Sequence, residues 1–242
     1  RSRLVTVYTL LLFSLSIGLF YMGADENSSL VSLLHLTLLI IPLVSIIYAS
    51  IHYYNSREFI ELLLTQPIRR KVIFYGEFLG VSLSLSLALV LGLGIPLILY
   101  GSGLAAGFLF LVSILLTFIF TAMAFVISVR QSDKARGIGV SLTTWFYFAV
   151  VYDGIVMWLL HYFSDYPLEK PVLILTILNP IDLGRVLVLL KLDTSALMGY
   201  TGALYRQFFG TGLGVTFTLI FLVVWSCLPL LRGSGIFRKK DL

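Results

Sequence analysis

One cysteine, three histidines and a charged fraction of only 12% leave this 242-residue chain short of what a soluble protein or an enzyme needs. Soluble domains devote roughly a quarter of their residues to Asp, Glu, Lys and Arg. Here apolar residues make up 59% and the mean hydropathy is +1.00, which excludes a soluble fold. The lone Cys227 excludes an intrachain disulfide and a thiolate metal centre, and it points to no redox compartment. His35, His52 and His161 fall near opposite ends of two apolar segments, not on one helical face, so they lack ligand spacing. Met22, Met123, Met157 and Met198 are scattered and read as packing residues. No metal site and no resident cofactor are expected. The sequence has no His-Glu-x-x-His helix, no Gly-x-Ser-x-Gly turn and no paired acids, so a non-catalytic chain is expected. It also lacks a Gly-x-x-x-x-Gly-Lys-Ser/Thr phosphate loop; any ATP and Mg2+ would be held by another subunit. The net charge of +5 is not gathered into the basic stripe that nucleic acid requires.

What the chain does have is long apolar runs. A helix needs about 20 residues to cross a hydrocarbon core about 30 Å thick, and the segments 4–22, 30–54, 78–100, 104–129, 138–160 and 213–231 are long enough. Lipid cannot satisfy free backbone groups, so these segments must be helical. The expectation is an all-α integral membrane protein, with residues 1–242 forming a single transmembrane domain in the lipid bilayer. Arg1, Arg3, Arg57, Arg69, Arg70, Lys71, Arg130, Lys134, Arg136, Arg232, Arg238, Lys239 and Lys240 all fall in one set of loops, against Lys170, Arg185, Lys191 and Arg206 in the other. Because basic residues are retained inside, both termini are expected to be cytoplasmic in a multi-pass inner-membrane protein. The chain opens on Arg-Ser-Arg without Met, and its first run is too long for a signal peptide, so preceding sequence is expected to be missing.

Two stretches lie outside the six runs. In the first, 55–77, Arg57, Glu58 and Glu61 sit within one helical turn of each other among Phe59, Ile60 and Leu62 to Leu64. Gln66-Pro67 stops that helix, since the residue before proline is pushed out of the helical region. Arg69-Arg70-Lys71 follows, and Glu77 is expected to form a local ion pair beside this triplet. In the second stretch, 161–211, Asn179-Pro180-Ile181-Asp182 reads as an N-cap, a first-turn proline and a first-turn acid. Leu183, Val186, Leu187 and Leu190 then recur at helical spacing, while Asp182 and Arg185 can pair at i, i+3. A surface amphipathic helix is expected there. Asp193-Thr194-Ser195 offers another cap, and the glycine-rich run after it fits either a re-entrant segment or a lid helix on the bilayer.

Within the spans, Asp153 is the one acid well inside an apolar run. An intramembrane carboxylate is a functional candidate, but counting from residue 138 places it about 22 Å into a core of about 30 Å. Both a structural hydrogen bond and a place in a cavity open to the outside fit that depth. Gly92, Gly94 and Pro96 mark a kink or break in the third span.

The run Arg57-Glu-Phe-Ile-Glu-Leu-Leu-Leu-Thr-Gln-Pro-Ile-Arg-Arg70, followed by Gly76-Glu77, resembles the loop between spans two and three in permease subunits of type-2 ABC exporters. It departs from many of them in carrying Phe59-Ile60 where they have Gly-Thr. The segment from Asn179 to Ala203, with the six-span layout, is similar to the NosY type of permease, found in transporters that mature nitrous oxide reductase. The resemblance implies a homodimer working with a cytoplasmic ABC ATPase (NosF-like), a periplasmic β-helix protein (NosD-like) and a copper-chaperone lipoprotein. It implies ATPase coupling through Arg57, Glu58, Glu61, Gln66, Pro67, Arg69 and Arg70. Contact with the periplasmic partner would use Asn179, Pro180, Asp182, Arg185, Lys191 and Asp193. A type-2 exporter moving another cargo, such as a lipid or a small molecule, is the alternative.

Overall fold

The computed structural model describes residues 3–23, 25–101, 103–163, 169–192 and 212–239. These are helical almost throughout, with no strand among them, and six helices are long and apolar enough to cross a membrane. Helix α1 (Arg3–Met22) packs on α2 (Glu26–Asn55), and a short α3 (Arg57–Leu64) follows. The third span is α4 (Arg70–Leu89), a π-helical turn at Val90–Gly94, and α5 (Ile95–Tyr100). Then come α6 (Gly103–Arg130) and a fifth span built from α7 (Lys134–Phe146), a second π turn at Tyr147–Val151, and α8 (Tyr152–Tyr162). After α9 (Glu169–Leu178) and α10 (Pro180–Lys191), α11 (Gly212–Lys239) is the sixth span. The expected second helix after Asp193 lies outside the described residues.

Helix α6 is the axis of the bundle, packed by α2, α4, α7, α10 and α11. Its residues explain why: Leu109, Val112, Leu116, Ile119, Phe120 and Ala122 are buried on several faces. Within it Ser113 Oγ and Thr117 Oγ1 donate back to the Leu109 and Ser113 carbonyls at 2.7 and 2.9 Å. At the end carrying the α2–α3 and α6–α7 connections, Phe125 stands against Tyr53, Phe74 and Phe78 with ring centroids 5.7, 5.8 and 5.9 Å away, all near edge-to-face. Phe74 continues the cluster to Phe237 of α11 at 5.6 Å.

The break expected at Gly92, Gly94 and Pro96 takes the form of the first π turn. The span is not severed: a wider turn carries the helix past α1. Gly92 is required by that neighbour, since a Cβ there would stand 2.8 Å from the Thr9 carbonyl oxygen and 2.9 Å from Leu12 Cβ. The second π turn has no glycine or proline and no sequence signal.

Candidate functional site

Two places gather the polar residues that the spans lack. The first surrounds α3. Helix α3 follows α2 after a single residue, Ser56, whose carbonyl accepts from Ile60 N at 2.9 Å. Arg57 Nε pairs with Glu61 Oε1 at 3.0 Å across one helical turn. Its Nη1 donates to the Ser132 carbonyl at 3.2 Å, Lys134 Nζ donates to Asn55 Oδ1 at 2.8 Å, and Tyr54 OH donates to the Gln131 carbonyl at 3.2 Å. These three bonds tie the start of α3 to the α6–α7 turn. Gly137 lets α7 come flat against the Tyr54 ring, where any Cβ would collide.

Of α3 itself only Ile60 is buried; Glu58, Phe59 and Leu62 share the outward face, with Phe59 56% and Leu62 65% exposed. Phe59-Ile60, the departure from the Gly-Thr pattern, thus continues the helix with one residue turned in and one turned out. Gln66, Pro67, Ile68, Arg69 and Arg70 extend the exposed surface. The local ion pair expected of Glu77 beside the basic triplet is replaced by another contact: its Oε2 meets His52 Nε2 of α2 at 3.1 Å. Seven residues separate Glu77 from Arg70, so the two lie about two turns apart, and Glu77 faces the neighbouring helix.

The second place is at the opposite half of the bundle. Helices α9 and α10 meet at Asn179 with a bend of 113°. Asn179 Oδ1 caps α10 by accepting from Ile181 N at 3.0 Å, and Pro180 occupies the first turn, as the sequence pattern requires. The amide of Asn179 donates to the Phe148 carbonyl and to Asp182 Oδ2, both at 3.0 Å. Phe148 lies midway along the fifth span, so the vertex of the bend is deep in the bundle. Trp225 Nε1 donates to the Ile177 carbonyl at 3.1 Å and Tyr152 OH to the Leu175 carbonyl at 2.7 Å, holding α9 from two sides. From the vertex α10 climbs along α6, and Gly184 permits the contact: a Cβ there would stand 2.6 Å from Val112 Cγ1. Lys191 ends the climb with Nζ 5.3 Å from the Phe108 ring centre, near the start of α6.

The surface helix expected at 180–191 is therefore corrected. Ile181, Leu183, Leu187 and Val188 are each no more than 2% exposed, and α9–α10 is a hairpin that dips into the bundle and returns. Besides the Leu183 to Leu190 stripe, α10 buries Ile181, Val188 and Leu189 on its other faces and leaves Asp182, Arg185, Leu190 and Lys191 half-buried. Asn179 and Pro180 are inside the chain, presenting no face to a partner, and Asp193 lies outside the described residues.

The polar residues of α10 turn toward the fifth span. Arg185 Nη1 pairs with Asp153 Oδ2 at 2.9 Å and with Asp182 Oδ1 at 3.0 Å. Asp153 also lines a cavity of about 190 Å3 with Met157, Thr176, Asp182 and Arg185. Arg185 Nε is buried there without a hydrogen-bond partner. The i, i+3 pair was readable from the sequence. Its link to Asp153 was not, because 32 residues separate them and no local pattern joins them. No cluster of His, Cys, Asp and Glu able to hold a metal ion occurs among the described residues.

A chain with six apolar spans, a braced amphipathic helix at one end and a dipping hairpin at the other has relatives. The probable ABC transporter permease protein NosY of Stutzerimonas stutzeri is 29% identical over 264 residues, covering 99% of this chain and 94% of the relative. Its namesake in Pseudomonas aeruginosa is 27% identical over 273 residues, covering 100% and 94%. Residues 18–242 match the ABC-2 family of transporter proteins. The chain belongs to that family, as a membrane-spanning permease subunit of an ABC transporter, a class that works with an ATPase partner.

Proposed function

We propose that this permease receives the stroke of a cytoplasmic ABC ATPase on α3, passes it through the bundle to the α9–α10 hairpin, and so works on periplasmic partners in the maturation of a copper enzyme, nitrous oxide reductase. The observation that carries the coupling step is the outward face of α3. Glu58, Phe59 and Leu62 stand clear of the chain, on a helix whose start is hydrogen-bonded to the α6–α7 turn. An exposed apolar pair beside an acid, on a braced base, suits a docking surface that must push without bending. Gln66, Pro67, Arg69 and Arg70 form its rim, and Arg57 and Glu61 hold its shape. The ATPase binds ATP and Mg2+. The permease acts as a homodimer in the inner membrane with both termini cytoplasmic, which agrees with the gathering of arginine and lysine at the α3 end. The copper-enzyme assignment, with a NosD-like β-helix protein and a copper-chaperone lipoprotein outside, is supported by likeness to NosY proteins along the whole chain.

The test is co-purification of the tagged permease with candidate ATPase and β-helix subunits. Glu58→Ala with Leu62→Ala removes the outward face, and Glu61→Ala serves as the internal comparison. Selective loss of the ATPase from the first variant supports coupling through α3, whereas undiminished ATPase recovery sinks it. An ATPase recovered without any periplasmic partner favours the exporter of another cargo.

A further inference from the structure

Below the mid-plane, on the α3 side, α6, α7 and α11 part to leave two adjoining cavities. One, of about 380 Å3, is walled mainly by apolar side chains, among them Ile127, Trp225 and Leu228. Pro229 lies in its wall, and having no N–H it cannot donate to the Trp225 carbonyl one turn back. The other, of about 410 Å3, carries Arg130, Arg232, Arg238 and Lys239. Arg130 and Arg232 line both and so stand at the seam between them.

All four cations are exposed, and no ion pair involves any of them among the described residues. Asp133, three residues past Arg130, accepts with Oδ1 from Arg136 N at 2.7 Å as the cap of α7, and Asp241 lies outside the described residues. Four positive groups around one cleft, with no ion pair among the described residues, repel each other unless an anion joins them, and the three arginines offer forked donors that match a phosphate. A soluble anion would have no use for the adjoining apolar cavity. An amphiphile fills both.

We propose that this cleft seats an anionic phospholipid, its phosphate between Arg130 and Arg232 within reach of Arg238 and Lys239, and an acyl chain lying along Ile127, Trp225 and Leu228. Basic pockets between spans bind acidic headgroups in this manner, each Lys or Arg near the headgroup adding to the attraction. The lipid would wedge α11 against α6 and α7, making the packing of the sixth span depend on bilayer composition.

The test uses the full chain in neutral detergent, titrated separately with phosphatidylglycerol, phosphatidylcholine and inorganic phosphate, reading melting temperature and lipid retained in native mass spectra. Phosphatidylglycerol is expected to raise the melting temperature by several degrees and to remain bound, with neither other ligand doing so. Arg130→Gln with Arg232→Gln should weaken its retention roughly tenfold or more. Equal stabilisation by phosphatidylcholine would make this an ordinary lipid contact, and equal stabilisation by inorganic phosphate would make it a soluble-anion site; either overturns the proposal. So does a folded double variant that retains phosphatidylglycerol as the wild type does. The comparison of ligands on the wild-type chain decides the matter even if the variant fails to fold.

Discussion

Beneath α3, Phe125 touches the rings of Tyr53, Phe74 and Phe78, while in the other half of the bundle the α9–α10 hairpin is tied to the fifth span through Arg185, Asp153 and Asp182. The first arrangement is apolar and contacted from all sides. Any rotation of α2, α4 or α6 there opens a void, and interiors resist voids. The second depends on a few directional contacts, one of whose donors, Arg185 Nε, has no partner. An unpaired buried donor is costly in a low dielectric, so an arrangement that gives Arg185 Nε a partner would be favoured over this one. The coupling proposed above, with force taken at one end and shape changed at the other, would use both: a stiff base under α3, and a hairpin whose anchorage can be rearranged.

The contrast can be broken most severely at Phe125. Phe125→Ala should cost about 3–5 kcal/mol, because it removes three ring contacts and leaves a cavity. Lipid tails are as apolar as the lost ring, so the loss is one of packing, read as a large drop in melting temperature in detergent. Next, Arg185→Ala leaves two carboxylates facing each other and should cost about 2–3 kcal/mol. Asp153→Ala leaves Arg185 still paired with Asp182 and should cost about 1 kcal/mol. Equal effects would show that Asp153, not Asp182, is the principal anchor. Gly184→Val drives a side chain into Val112 and should cost about 1–3 kcal/mol, with faster proteolysis between α8 and α11 as the hairpin is displaced. The smallest effect belongs to Arg57→Ala. Its pair with Glu61 is more than a third exposed on both sides, so less than about 1 kcal/mol is expected by thermal melting. That small value sharpens the coupling test, because it means α3 stays folded when its charged residues are changed.

Helices and their caps were readable wherever a local pattern sufficed. The six runs are long enough to span, and Asn179-Pro180-Ile181-Asp182 announced the start of α10 with its cap in place. The helix ending at Gln66-Pro67 was readable for the same reason. Depth was not. The stripe of Leu183, Val186, Leu187 and Leu190 looks the same whether it rests on a bilayer or against α6. What settles it is Gly184, which only a close helix neighbour requires, together with the short apolar run of α9 before the Asn-Pro break. Two segments each too short to span, joined at a capping asparagine, are the signal that could have revealed the hairpin. The Asp153–Arg185 pair and the Glu77–His52 contact join residues from different helices, which no periodicity encodes.

The two π turns, Val90–Gly94 and Tyr147–Val151, set the phase of the spans that contain them. A π turn holds one residue more than the helix around it needs, so everything beyond it is rotated by about 100° relative to an unbroken α-helix. In the third span, Leu97 faces inward at 5% exposure while Ile98 and Leu99 face outward at 83% and 65%. Were that span's π turn to close into an unbroken α-helix with every residue kept, the outer half of the span would swing round and exchange buried for lipid-facing side chains with no change in composition. Hydropathy would be blind to such a closure, yet the bundle would have to be packed anew.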